Sequence, residues 1–127
     1  MLNSEVEEKL RQIKIENYIW IIYLIIIGIS YYSNYLEKDY FVNNNIESKK
    51  KYRETLIIIF SILLIIYLYF TVDAYKSIET LKENDSKEKK DLVTMSFIGS
   101  LLILISGIIF LYVAYKDYNL DVELAFN

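Results

Sequence analysis

Cysteine, histidine and proline are absent from this 127-residue sequence, and glycine occurs only three times. Without cysteine no disulfide can form, and no thiolate is available for catalysis or metal binding. Without histidine the imidazole ligand and the commonest general base are missing too, so thiol catalysis and serine–histidine hydrolysis are excluded. A dominant charge is also lacking. Fourteen basic residues stand against 17 acidic ones, a net charge of −3, and the two signs are mixed within the polar segments. That mixture makes no basic patch for nucleic acid. The expectation is a chain with no enzyme activity, no cofactor, no metal site and no nucleic-acid partner.

What the sequence does have is three uncharged, strongly apolar stretches, at residues 17–36, 55–72 and 92–115. About 20 helical residues at roughly 1.5 Å each cross a hydrocarbon layer of about 30 Å, so every stretch suffices for one crossing. A water-soluble three-helix bundle would need a charged face recurring at helical spacing. None of the three stretches has one. The expected fold is all-α, a three-helix integral membrane bundle. Its long first helix extends beyond the membrane, and a short extended tail closes the chain. The whole of 1–127 is then one membrane domain: extension 1–16, span 17–36, loop 37–54, span 55–72, loop 73–91, span 92–115 and tail 116–127.

Half of the residues are Phe, Tyr, Met, Ile, Asn or Lys, types encoded by A/T-rich codons. Such a bias fits a low-GC bacterium or its phages, so the expected location is a bacterial plasma membrane. The first apolar stretch is not expected to be a cleaved leader. Its upstream segment is acidic (Glu5, Glu7, Glu8, Glu16), and Tyr31, Tyr32 and Tyr35 follow where small cleavage-site residues belong.

Ser4 and Glu7 have capping-box spacing at the start of the first helix. Val6, Leu10 and Ile13 then fall on one helical face, and nothing between Ile13 and Tyr18 breaks the chain. One helix from about Glu5 to Leu36 is expected, its first part lying on the membrane surface or rising into water against a partner. Asn43-Asn44-Asn45 marks a turn in the first loop, because asparagine tolerates a left-handed backbone. Tyr40-Phe41-Val42 reads as a strand-like trio. The second helix is expected to continue to about Lys82, with Asp85 and Glu88 as a second capping box. In the tail, Tyr118, Leu120, Val122, Leu124 and Phe126 alternate with polar residues at the period of a strand. They form an expected docking element, pairing with the first loop or with another protein's sheet edge.

Basic residues in short loops set orientation. Eight lie on the side of the N-terminus and second loop, against six on the side of the first loop and tail. The expected arrangement is N-terminus inside. Tyr18, Trp20, Tyr67 and Tyr69 suit one interface; Tyr31, Tyr32, Tyr35, Tyr112 and Tyr115 suit the other.

The third span carries the sharpest feature. Ser96, Gly99, Ser100, Ser106 and Gly107, with Ile103 between them, recur at helical spacing. Small residues let helix backbones approach closely in lipid, where apolar burial alone gives helices little preference for one another. This is the expected helix-packing face, its partner another span, a second copy of the chain or another membrane protein. In the first span, Gly28 offers a place for a neighbouring side chain. No span contains a charged residue, so no group is available to couple ions or protons. Asp73 sits at a helix end within reach of water, and Asp117, Asp121 and Glu123 read as a solvated acidic cluster.

The expected function is therefore that of a small non-catalytic integral membrane protein. It would act through protein–protein contacts, as an accessory, assembly or immunity-type protein, with the lipid bilayer and a membrane-protein partner or homo-oligomer around it. The alternative is an oligomeric pore former. In size and in its three spans the chain resembles class-one holins, a likeness of architecture that implies membrane permeabilisation. Holin tails are basic, whereas Lys116 here is followed by Asp117, Asp121 and Glu123.

Overall fold

A computed structural model describes residues 3–117. Among the described residues there are three helices and no strand: α1 (Ser4–Asn43), α2 (Ile46–Glu79) and α3 (Lys87–Lys116). All three are long and apolar enough to cross a membrane. Their lengths of 40, 34 and 30 residues correspond to about 60, 51 and 45 Å, each more than a ~30 Å hydrocarbon layer requires. The chain divides into two compact units, Met1–Tyr52 and Arg53–Asn127, with the boundary inside α2.

In the first unit, Asn3 and not Ser4 caps α1: its side-chain oxygen accepts from the Val6 N–H at 2.8 Å. Asparagine and serine are equally good N-caps. Starting at Ser4 also sets Glu5 and Glu7 in the first turn, where the helix dipole favours negative charge. The helix then runs seven residues beyond the expected end at Leu36. Tyr40-Phe41-Val42 is helical, not strand-like. Extending an existing helix adds one hydrogen bond per residue without a new nucleus, and a three-residue apolar run has no ladder to compete with that. Asn44 ends α1 in the left-handed region, φ 53° and ψ 34°. Asn45 then caps α2, its side-chain oxygen accepting from the N–H groups of Glu47 (3.1 Å) and Ser48 (3.3 Å). The connection between α1 and α2 is thus two residues long, where the sequence suggested a loop from 37 to 54.

In the second unit α2 ends at Glu79, close to expectation, and a short turn leads into α3. Ser86 is the N-cap, accepting from the Lys89 N–H at 3.1 Å. Asp85, expected in that role, is used elsewhere. Its carboxylate accepts from the Lys82 N–H at 2.7 Å and from Lys89 Nζ at 3.2 Å, which fastens the turn and moves the cap along by one. At the far end of α3 the Asp117 N–H returns to the Val113 carbonyl at 2.9 Å. The alternating residues Tyr118, Leu120, Val122, Leu124 and Phe126 lie outside the described residues.

Burial follows a narrow stripe on each helix. On α1 it is Ile19, Ile26, Ser33 and Leu36; on α2, Leu56, Ile59, Phe60, Ile66 and Thr71. On α3 it is Gly107 and Ala114. The other apolar side chains are half-buried or exposed, Leu24 at 68% and Ile65 at 70% among the exposed. Of the most apolar stretch of each helix, only 11% is buried in α1 and α3, and 28% in α2. A water-soluble core would bury most of it.

Candidate functional site

The second unit contains an antiparallel hairpin whose register is fixed by a ladder of contacts. Arg53 Nη2 donates to the Tyr115 carbonyl at 3.4 Å, where α2 enters this unit. Phe60 meets Phe110 with ring centres 5.8 Å apart. Tyr67 and Leu64 lie against Gly107. Thr71 Oγ1 donates to the Ser100 carbonyl at 3.2 Å, and the rings of Tyr75 and Phe97 close the ladder at 5.7 Å. Residue numbers rise on α2 as they fall on α3.

Along α3 the inward face carries Ser100, Gly107 and Ala114, three small residues spaced seven apart, or two helical turns. Gly107 and Ala114 are the two buried residues of this helix. A Cβ on Gly107 would stand 3.0 Å from Tyr67 Cδ2 and 3.5 Å from Leu64 Cδ1, so the absent side chain is what lets the tyrosine ring pass. Such close approach is how helices associate in lipid.

The six residues expected to form one packing face therefore divide. Ser100 and Gly107 face α2. Ser96, Gly99, Ile103 and Ser106 are exposed, and of these Gly99 and Ser106 lie roughly a quarter turn around α3 from Ser100 and Gly107. A Cβ on Gly99 would meet nothing within 4 Å. Gly28 on α1 stands in equally open space. Ala114 was not among the expected residues. The seven-residue interval from Ser100 through Gly107 is the signal that points to it, since alanine alone attracts no attention in an apolar span.

Four hydroxyl groups within the apolar stretches are spent on backbone. Ser100 Oγ donates to the Ser96 carbonyl at 3.0 Å, Ser61 Oγ to Ile57 at 2.6 Å and Ser30 Oγ to Ile26 at 2.8 Å. Thr71 Oγ1 lies 2.7 Å from the Tyr67 carbonyl as well as reaching Ser100. Ser33 differs. It is only 2% exposed and its hydroxyl has no hydrogen-bond partner.

Charge is organised at the turns. Asp39 gathers the α1–α2 connection: one carboxylate oxygen accepts from Asn43 Nδ2 at 2.7 Å, the other from Asn45 Nδ2 at 2.8 Å and Ser48 Oγ at 2.5 Å. These hydrogen bonds, Ser48's first among them, hold the Asp39 carboxyl below its ordinary value. Beside it Lys49 Nζ donates to the Tyr40 hydroxyl at 3.2 Å. Asp85 is lowered in the same manner, by the Lys82 N–H first and then by Lys89. Both carboxylates are committed to holding turns. Among the described residues no three acidic side chains gather where they could hold a cation. No family model matches the chain, and neither a curated protein nor a solved structure matches it.

Proposed function

We propose that this is a small, non-catalytic, multi-pass membrane protein that works by helix–helix contact, as an accessory, assembly or immunity-type protein. The observation that carries the reading is the second small-residue stripe on α3. Ser100 and Gly107 serve the hairpin, while Ser96, Gly99 and Ser106 are exposed beside them. In hydrocarbon a run of small residues gains little from facing lipid, whereas it permits close approach of another helix. The membrane setting is supported by three crossing-length helices whose most apolar stretches are largely unburied. The bacterial plasma membrane follows from composition, and the N-terminus is inside because eight basic residues flank that side against six on the other.

Ser61, Thr71 and Ser100 donate to backbone carbonyls, which favours contact over a pore lined by those three hydroxyls. The test is gentle detergent extraction from the native host of the full chain and of its Gly99→Leu variant. A membrane partner recovered in fixed proportion with the wild type and lost with the variant supports the reading. An isolated monomer in both cases, with no cellular effect of the substitution, contradicts it. So does vesicle leakage at low protein density, which would place the chain among pore formers.

A further inference from the structure

The first turns of α1 carry a second face that the fold does not use. Val6, Leu10 and Ile13 are 40%, 50% and 40% exposed, and the same line continues through exposed Asn17 to Trp20 at 66%. Their intervals of four, three, four and three residues are those of a coiled-coil seam. Lipid does not cover the start of that seam. Helix α1 is continuous from Ser4 to Asn43, so it cannot cross the membrane over 17–36 and also lie flat over its first turns. Residues 4–16 stand about 20 Å beyond the apolar layer, and three large apolar side chains stand there with them.

The charges beside the seam select what covers it. Lys9 and Glu16 line one edge, Glu7 and Lys14 the other. In a parallel pair, each residue on the first edge meets the partner residue five positions further along, so position 9 faces position 14. Two copies of this chain in one membrane share an orientation, and their α1 helices are parallel. Self-pairing would set Lys9 against Lys14 twice. An antiparallel pair would match Glu7 with Lys14 and Lys9 with Glu16, but one membrane forbids that orientation. We propose that the water-exposed face of α1 around Leu10 and Ile13 docks a parallel helix of a different protein, with acidic residues opposite Lys9 and Lys14. Asn17 adds a requirement at the membrane boundary: its amide calls for a polar side chain on that helix, and so sets the register.

The proposal rests on the membrane and contact reading above but uses α1, so its failure is separable from failure at α3. The chain has no cysteine, and Ile13→Cys supplies a single thiol in full-length protein reconstituted in lipid vesicles. The probe is the same chain carrying Lys9→Glu and Lys14→Glu with its own Ile13→Cys and a size tag. Circular dichroism checks that both are equally helical. Oxidation should give mixed dimers in roughly three- to ten-fold excess over either self-dimer, as two repulsive pairs become attractive, and raised salt should shrink the excess. Glu8→Cys, on the far side of the helix, should cross-link in no combination. Wild-type chains joining each other as readily as they join the probe would make a second copy the occupant and overturn the proposal. Equal cross-linking from positions 8 and 13 would overturn the docking face itself. A partner lost at α3 with the mixed-dimer preference intact would count against the α3 reading alone.

Discussion

A methyl group placed on Gly107 would lie 3.0 Å from Cδ2 of Tyr67, closer than side chains normally pack. The contact ties one missing side chain on α3 to one aromatic ring on α2, and it sets how near the two helices come. Gly99, two turns earlier on the same helix, has nothing within 4 Å of the equivalent point.

Gly107→Leu should therefore loosen the hairpin by about 1–3 kcal/mol through overpacking, while Gly99→Leu leaves the isolated chain's stability unchanged. Thermal unfolding in detergent, followed by helicity, separates the two. Equal destabilisation by both substitutions would place the two glycines on one packed face.

Thr71→Val removes a hydroxyl that sits between the Tyr67 and Ser100 carbonyls at 2.7 and 3.2 Å. The nearer acceptor belongs to its own helix, so only part of the bond serves the hairpin. A loss of about 0.6 kcal/mol is expected, in line with hydrogen bonds between helices in lipid. Steric-trap or denaturant measurements in bicelles would read it, and a loss several times larger would mean that the hairpin depends on this bond.

Asp39 predicts a pH dependence of the α1–α2 turn. Its carboxyl is lowered by hydrogen bonds from Ser48, Asn43 and Asn45, so the folded turn binds its proton less readily than an unfolded one. Stability from this source is complete above the unfolded value, near pH 4, and falls as pH drops through the lowered folded value. Amide exchange at Glu47 and Ser48 should be slow and flat above pH 5 after correction for intrinsic rates, and should show increased opening at lower pH. Asp39→Asn should raise the opening at neutral pH and abolish the acid dependence.

Ser33 is buried without a hydrogen bond. Leaving a hydroxyl unmatched away from water carries a cost, and its removal relieves that cost. Ser33→Ala should be neutral or stabilising by up to about 1 kcal/mol in thermal unfolding. Marked destabilisation would show that the hydroxyl has a partner in the folded protein.

The helices were legible in the sequence because crossing-length apolar runs leave no other backbone arrangement open in lipid. Asn44 was legible as a turn because few residues accept φ 53°. Local competitions were harder to read. Asn3 and Ser4 are equivalent caps, and Glu5 and Glu7 fall in the first turn from either start, so the sequence alone does not separate them. Asp85 and Ser86 compete likewise, decided by a bond to the Lys82 N–H that exists only once the turn has closed. Tyr40-Phe41-Val42 misleads because three residues are too few to distinguish period two from a helix that simply continues. The small residues of α3 were visible as a set, but their division into two stripes depends on where Tyr67 and Thr71 meet them. A pattern along one helix does not reveal that.

The account stands on the exposed apolar faces meeting lipid, and spin labels at Leu24→Cys, Ile65→Cys and Leu102→Cys in reconstituted vesicles test that most directly. Collision with oxygen should exceed collision with a water-soluble nickel chelate at all three positions, with the reverse at a label on Glu8→Cys. Higher nickel access at the three apolar positions would mean that water, not hydrocarbon, surrounds these helices.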